Sequence, residues 1–344
     1  MANYGKKLQA LKGRREDTLT KSFSLSENFD KMQYGESATY AMEAMEPIAE
    51  SYTKNTYVVC GKLQNQLKTG LSQNGIDVEF RYQGSVPTNT HIKNYSDIDL
   101  LTIHGHFFTL EAPQEPQFPY AGDPVEDLKK LRTKSFRILD TVYSGCKIDD
   151  SGSKCINISG GSINRKIDII FSNWYNSLDY KQYPIETNKG VQILDRDKNQ
   201  RILNFPFLHI HWINEKDGRV AGNEKRMIRL LKSLRADAET EIKVSSYDIA
   251  SLVYRMDDSS LLVSKSQRLA LLQNTNVFLL KVINDTSFRN SLYVANGTRQ
   301  IFSADGCNLA ELVKLHGELQ DLILTITTEI RPLFKSVESS NVYY

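Results

Sequence analysis

The chain has 344 residues, more than one compact core usually holds, so we expect two lobes. Its hydrophobic fraction of 40% and charged fraction of 24% are those of an ordinary globular protein. The formal net charge of +2 excludes the strong overall field of a protein dedicated to nucleic-acid or membrane binding.

The sequence also disfavours membrane and secreted proteins. No apolar run approaches the roughly 20 residues that span a bilayer, and the basic N-terminus has no apolar signal core. We therefore expect a cytoplasmic protein without a membrane segment. The cysteines form no CxxC pair, so free thiols are expected rather than a disulfide framework or a zinc site. They are Cys60, Cys146, Cys155 and Cys307.

The N-terminal part of the chain combines helix and strand patterns. Residues 38–71 carry apolar side chains at three- and four-residue spacing, which predicts helix with a break at Pro47 and an end at Asn74-Gly75. Residues 78–82 alternate as a strand does. Residues 97–103, DIDLLTI, predict a second and more apolar strand.

The middle of the chain continues this mixed pattern. Residues 127–142 have helical periodicity, and residues 155–158 and 166–171 predict two further strands. Residues 191–194 and 201–205 predict a hairpin around the polar turn DRDKNQ.

Beyond about residue 216 only helical periodicity remains. The predicted helices cover residues 223–235, 247–256, 269–282 and 308–333. The sequence therefore predicts an α+β fold of two lobes. Residues 1–215 would form a mixed sheet flanked by helices, including the N-terminal helices, and residues 216–344 a helical lobe.

One segment combines two features with chemical meaning. Gly84-Ser85 lies at the end of a predicted strand, where backbone N–H groups can approach a phosphate. Asp97 and Asp99 are one residue apart on the next predicted strand, so both carboxylates point to the same face. Like charges so close repel unless a cation lies between them, and hard oxygen ligands suit Mg²⁺.

A third acid, Asp168, lies within the apolar strand KIDIIF, where an unpaired carboxylate is costly to bury. Asp97, Asp99 and Asp168 on neighbouring strands could hold two Mg²⁺ ions, with Mn²⁺ as a substitute. Taken singly, the DxD pair also fits a solvated strand edge, and Asp168 also fits a buried salt bridge.

Together these motifs resemble the DNA polymerase β superfamily of nucleotidyltransferases. YQGSVPTNT, then SDIDLLTI, then KIDIIF match its Gly-Ser, Asp-x-Asp and third-acid pattern in order and spacing. The resemblance implies that the three acids are catalytic metal ligands and that Gly84 and Ser85 seat the phosphates of a nucleoside triphosphate. Gln83 would contact nucleotide, or would simply be a polar residue at the strand end.

Two features of the helical half bear on phosphate binding. At 100° per residue, Lys225, Arg229 and Lys232 fall on one side of their helix, which fits a phosphate-binding stripe or a solvated face. Ser246 and Tyr247 begin the next helix, whose N-terminus could bind an anion while the ring stacks on a base. The alternative is a helix cap with a packed tyrosine.

This arrangement is similar to the cGAS/DncV-like nucleotidyltransferases (CD-NTases) of bacterial CBASS anti-phage defence. The resemblance implies that Lys232 and Ser246 grip the triphosphate and that Tyr247 stacks on the donor base. It also implies that NTPs become a cyclic di- or trinucleotide messenger, which a separate effector protein binds. No His/Cys cluster like the zinc ribbon of the animal sensor is present, so no zinc-dependent DNA sensing is expected.

Other readings of the sequence remain open. One is another enzyme of the superfamily, which would tail RNA or modify a small molecule or a protein. A second is a nucleotide-binding sensor on a decayed catalytic core. Lys166 would touch phosphate or flank a strand. His209 and His211 would share a face if they lay on a strand.

Overall fold

The computed structural model describes residues 3–15, 35–93 and 95–340. They divide into two compact units, each treated by itself. The sheet unit comprises Ala49–Asn89 and Ser96–Trp212. The helical unit comprises the described residues of Met1–Ile48, Thr90–Tyr95 and Ile213–Tyr344.

The sheet unit is built on one mixed sheet. Its strands are β1 (Val78–Gln83), β2 (Ile98–Leu110), β3 (Lys147–Asp149), β4 (Cys155–Gly160), β5 (Ile163–Asn176), β6 (Lys189–Asp195) and β7 (Gln200–Asn204). The order is β1-β2-β5-β4-β3, with β6 on β5 and β7 on β6. Strands β2 and β5 are parallel, and the other pairs are antiparallel.

Two long helices cover one face of this sheet. They are α3 (Glu50–Ser72) and α4 (Pro124–Val142). Their buried leucines join a core with the apolar residues of β2, β4 and β5 that point to the same side. These residues are Leu63, Leu67, Leu128, Leu131, Ile98, Leu100, Ile156, Ile158, Ile167 and Ile169. Because side chains alternate along a strand, the residues between them face the other side of the sheet.

The helical unit collects α1 (Tyr4–Arg15), α2 (Glu36–Met45) and the helices of the C-terminal part. The latter include α7 (Asn223–Ala236), α8 (Ser246–Tyr254), α9 (Asp258–Leu261), α10 (Ala270–Asn284), α11 (Thr286–Asn290) and α12 (Leu309–Ser340). Of the two helices that precede them, the short α5 (Leu178–Gln182) lies in the sheet unit, and α6 (Pro206–Arg219) enters the helical unit at Ile213. The apolar sides of the helices of the helical unit form a separate core that includes Tyr40, Met227, Leu230 and Leu319.

The two units divide the chain differently from the predicted lobes, 1–215 and 216–344. Helices α1 and α2 group with the C-terminal helices because they share a buried acid, Asp237. Arg14 donates two hydrogen bonds to its carboxylate, at 2.5 and 2.9 Å, and the Tyr40 hydroxyl donates a third at 2.9 Å. These partners lie about two hundred positions apart in sequence, so no local pattern could have linked them.

Most predicted elements are confirmed. The helix break lies at residues 46–49 around Pro47, and the hairpin is β6–β7. Asp97 lies just before β2 rather than within it. His209 and His211 lie on α6 and not on a strand, so they point to different sides of a helix. Within the described ranges, no helix is long and apolar enough to cross a lipid bilayer.

The loop that leads into β4 is held by a buried arginine, Arg132. The Arg132 guanidinium on α4 donates to the Asp150 carboxylate and to the carbonyls of Gly152, Ser153 and Cys155, at 2.5–3.1 Å. Only 2% of Arg132 is exposed. Removing the guanidinium would take the donor from the carbonyls of Gly152 and Cys155 and leave the Asp150 carboxylate with Arg196 at 3.5 Å, which costs more than the loss of one surface ion pair.

We therefore expect Arg132→Met to lower the free energy of unfolding by about 3 kcal/mol. Arg137→Met is the matched control, because Arg137 is exposed on the same helix and should change stability by less than about 0.5 kcal/mol. Urea unfolding followed by circular dichroism measures both. Equal effects in the two variants would contradict this role of Arg132.

Candidate active site

Four polar side chains lie in one row across the sheet. The register pairs Gln83 on β1 with Asp99 on β2, Asp99 with Asp168 on β5, and Asp168 with Asn157 on β4. Adjacent strands are about 4.8 Å apart, so neighbours in such a row can interact directly. Asp99 and Asp168, which are 69 positions apart in the sequence, are thus brought side by side.

The row lies on the face of the sheet opposite α3 and α4. Ile98, Leu100, Ile167 and Ile169 flank the two acids in sequence and point into the helix-covered core. By strand alternation the acids point the other way. The apolar residues next to each acid in DIDLLTI and KIDIIF point into this core, whereas Leu101, Ile103 and Ile170 lie on the face of the carboxylates and belong to a second, smaller apolar cluster.

Gly84 begins the turn that follows β1 and lies close to Asp99. Its φ is +74°, a conformation that favours glycine, and a Cβ atom there would overlap the Asp99 carboxylate. The Thr88 hydroxyl donates to the Ser85 carbonyl at 3.2 Å and closes the turn. Within the described residues, the buried Oε1 of Gln83 has no hydrogen-bond partner.

A lysine links two of the three acids. Lys166 Nζ donates to Asp97 Oδ2 at 2.7 Å and lies 3.7 Å from Asp168 Oδ1. Burial disfavours the ammonium form, but the hydrogen bond to Asp97 and the charge of Asp168 outweigh it and raise the pKa of Lys166. A cationic nitrogen therefore already lies beside both carboxylates.

Asp168 is the more buried of these two carboxylates. Burial, followed by the charge of Asp97, raises the pKa of Asp168, and Lys166 and Asn157 offset only part of this. Asn157 Nδ2 donates to Asp168 Oδ1 at 2.5 Å. A carboxylate whose ionised form is disfavoured in this way gains from a strong positive charge beside it.

The three acids can be tested as ligands of a divalent cation. As the side chains lie, no three His, Cys, Asp or Glu in the described part of the chain cage an ion. Asp99 and Asp168 are nevertheless neighbours in the sheet, and the Lys166 ammonium stands in for a cation between Asp97 and Asp168. The oxygen donors, and the excess of three carboxylates over one ammonium, fit a hard divalent cation.

The basic residues on α7 are not a solvated stripe. Arg229 and Lys232 are 4% and 1% exposed. Arg229 Nε donates to the Met45 carbonyl at 2.6 Å, and Lys232 Nζ donates to the Thr90 carbonyl at 2.8 Å. Lys225 lies 3.5 Å from Asp217. The solvated-face interpretation is therefore wrong for Arg229 and Lys232, because α7 is buried on nearly every side.

Helix α8 begins at Ser246 with a serine cap, as predicted. Ser245 is the N-cap, and its hydroxyl accepts from the Asp248 N–H at 3.0 Å. Ser246 Oγ accepts from Arg235 at 3.1 Å. The Tyr247 ring packs against the helical core, with the Arg299 guanidinium 5.5 Å from its centroid. Burial raises the pKa of Tyr247 to about 12, so the phenol is neutral.

Two residues of the site make contacts that the sequence does not predict. The sequence predicts that Lys166 touches phosphate or flanks a strand, but its contacts are with Asp97 and Asp168. Asn157 belongs to no motif in the sequence. The available signal was the single polar residue between two buried isoleucines in Cys155–Gly160, which marks a side chain facing away from the core.

Comparison with known proteins identifies several close relatives. Residues 211–323 match the family model described as the cGAS/DncV-like nucleotidyltransferase C-terminal helical domain. The cyclic dinucleotide synthase CdnE of Yersinia aleksiciae is 34% identical over 311 residues, which cover 89% of this chain and 81% of that protein.

Two solved structures share the whole architecture. The STING-associated CdnE c-di-GMP synthase of a Flavobacteriaceae species aligns with a TM-score of 0.79 at 26% identity. The corresponding enzyme of Capnocytophaga granulosa aligns with a TM-score of 0.77 at 30% identity. Each alignment covers 95% of this chain and 99% of the other.

The close approach of Gly84 to Asp99 leads to a test. We expect Gly84→Ala and Gly75→Ala to lose about 1–2 kcal/mol of stability each, because both glycines have positive φ. Only at Gly84 does the added methyl displace a carboxylate, since nothing lies within 4 Å of a Cβ at Gly75. Mn²⁺ affinity, measured by calorimetric titration, should therefore fall about 10-fold in Gly84→Ala alone. The same loss in Gly75→Ala would contradict this.

Proposed function

The chain belongs to the cGAS/DncV-like nucleotidyltransferases of CBASS anti-phage defence, and we propose that Asp97, Asp99 and Asp168 are its catalytic metal ligands. It is a nucleotidyltransferase that makes a cyclic dinucleotide for defence signalling, and it depends on a divalent metal. The observation that supports this assignment is the direct pairing of Asp99 with Asp168 in the sheet, next to Gly84.

The proposed chemistry is a phosphoryl transfer. A ribose hydroxyl oxygen attacks the α-phosphorus of a nucleoside triphosphate, the bond to the bridging oxygen breaks, and pyrophosphate leaves. Two Mg²⁺ ions, or Mn²⁺ in their place, supply when bound the charge that offsets the pyrophosphate and favours deprotonation of the hydroxyl. The protein contributes the three carboxylates that hold this charge in place, so catalysis is mostly positioning and electrostatics.

Other residues are proposed to bind the nucleotide. The turn at Gly84 and Ser85 offers backbone N–H groups and a hydroxyl to the β- and γ-phosphates. Gln83 Oε1 is buried and lacks a partner within the described residues, so a donor on the substrate would satisfy it. The family resemblance assigns Lys232 and Ser246 to the triphosphate and Tyr247 to the donor base.

Lys225 and Arg229 are proposed as further phosphate-binding residues on α7. Arg229 and Lys232 hold the carbonyls of Met45 and Thr90, so binding phosphate would require these hydrogen bonds to be exchanged. The exchange of a neutral acceptor for an anionic one is favourable, because charge-assisted hydrogen bonds are the stronger ones.

We propose that the product is cyclic di-GMP. Both structurally aligned enzymes are named c-di-GMP synthases, and three relatives with that name are 30–34% identical to this chain. A separate effector would bind the product and not the enzyme. The rival proposals are an RNA-tailing or small-molecule- or protein-modifying transferase and a decayed sensor. A decayed catalytic core would be expected to lack one or more of the three acids, and all three are present.

Incubation of the pure protein with all four NTPs and Mg²⁺, without any acceptor, tests the product. We expect a small, phosphatase-resistant compound with the mass of cyclic di-GMP, and none after addition of EDTA. Mass spectrometry identifies it. A different cyclic dinucleotide would contradict the base assignment only. Products extended on an added RNA, with none formed in its absence, would instead favour the tailing enzyme.

Neutralising the proposed ligands tests the site. We expect Asp97→Asn, Asp99→Asn and Asp168→Asn each to lower kcat by about 1000-fold, because each removes charge that holds the metal. Asp140→Asn, an exposed carboxylate on α4, is the control and should retain full turnover. Pyrophosphate release measures all four. Turnover in Asp168→Asn equal to that of the control would refute the site.

A further inference from the structure

Asn157 is a polar residue that lies between two buried isoleucines on β4. Its neighbours Ile156 and Ile158 are fully buried against the helices, so Asn157 faces the side of the sheet that carries the acids. The register places it directly opposite Asp168. We propose that Asn157 is a positioning residue, which fixes the Asp168 carboxylate so that its second oxygen is presented to the metal. This inference rests on the proposed function.

The side-chain amide of Asn157 is held by two acceptors. Nδ2 donates to Asp168 Oδ1 at 2.5 Å and to Cys155 Sγ at 3.4 Å. An amide nitrogen has two hydrogens in a plane, so two acceptors on the same face fix its orientation. Cys155 lies two residues before Asn157 on β4 and therefore on the same face. The donor that reaches Asp168 is thus ordered by its own strand.

The two oxygens of Asp168 are used differently. The contacts of Asn157 and Lys166 both go to Oδ1. Among the described residues, no hydrogen bond reaches Oδ2. A donor fixed on one oxygen restricts rotation of the carboxylate and leaves the other oxygen for a metal ion. Residues that hold metal ligands in this way typically change metal affinity by 10- to 100-fold when they are mutated.

The alternative is that Asn157 only ties β4 to β5. That role is already filled by the backbone ladder between Cys155–Gly160 and Ile163–Asn176, and by the buried isoleucines on either side. Loss of one side-chain hydrogen bond should therefore leave the strand pair intact. If Asn157 ties β4 to β5, its removal lowers the stability of the protein. If it positions Asp168, its removal lowers the affinity for the metal.

Two variants of different volume separate these roles. Asn157→Leu keeps the size of the side chain and removes the donor, whereas Asn157→Ala removes both. Asn204→Ala is the control, because Asn204 lies on β7 of the same sheet, two strands away from the strand of Asp168. Asp168→Asn reports on the proposed function itself. The full-length proteins are titrated with Mn²⁺, and free Mn²⁺ is measured by electron paramagnetic resonance. Thermal unfolding is followed in EDTA.

We expect both Asn157 variants to bind Mn²⁺ about 10-fold more weakly, with Tm in EDTA within about 3 °C of the wild type. In turnover assays their kcat should fall and recover in part at high Mg²⁺, while KM for the nucleotide at saturating Mg²⁺ stays unchanged. Asn204→Ala should bind Mn²⁺ as the wild type does.

Several results would overturn the proposal. Wild-type Mn²⁺ affinity in Asn157→Leu, with a loss only in Asn157→Ala, would show that Asn157 fills space. A failure of both variants to fold in EDTA would make the residue structural. If Asp168→Asn weakens Mn²⁺ binding while both Asn157 variants do not, this inference fails and the proposed function stands. Unchanged Mn²⁺ binding in Asp168→Asn would refute both.

Discussion

The parallel pairing of β2 with β5 is the interaction on which the proposed site depends. It joins two segments that are about seventy positions apart and places Asp99 beside Asp168. Two carboxylates held this close by a rigid ladder repel each other, and a divalent cation relieves that repulsion. The sheet therefore fixes the positions of the carboxylates that we propose hold the metal.

Apolar packing on the helix-covered face of the sheet offsets the free-energy cost of placing two carboxylates side by side on the other face. The residues that flank Asp99 and Asp168 are buried against α3 and α4 and anchor the strands on that face. On the face of the acids, Leu101, Ile103 and Ile170 belong to a second, smaller apolar cluster. At the turn after β1, only a glycine leaves room for the Asp99 carboxylate.

The sequence predicts what depends on local periodicity. The strands around Asp99 and Asp168, the break at Pro47 and the helices after residue 216 all follow from spacing of apolar residues. Contacts between distant segments could not be predicted. The donation of Lys232 to the Thr90 carbonyl joins residues 142 positions apart, and a helical wheel shows which side of α7 a lysine occupies but not whether that side is buried. The grouping of α1 and α2 with the C-terminal helices could not be predicted for the same reason. The pairing of Asn157 with Asp168 also depends on a contact and not on local periodicity.

The most direct test of the account is a crystal structure of the protein with Mn²⁺ and a non-hydrolysable nucleoside triphosphate, in which anomalous scattering locates the metal. We expect anomalous peaks about 2.1–2.3 Å from carboxylate oxygens of Asp97, Asp99 and Asp168, because these oxygens would hold the metal. Peaks bound only by the nucleotide, with the carboxylate of Asp168 turned away from them, would contradict it.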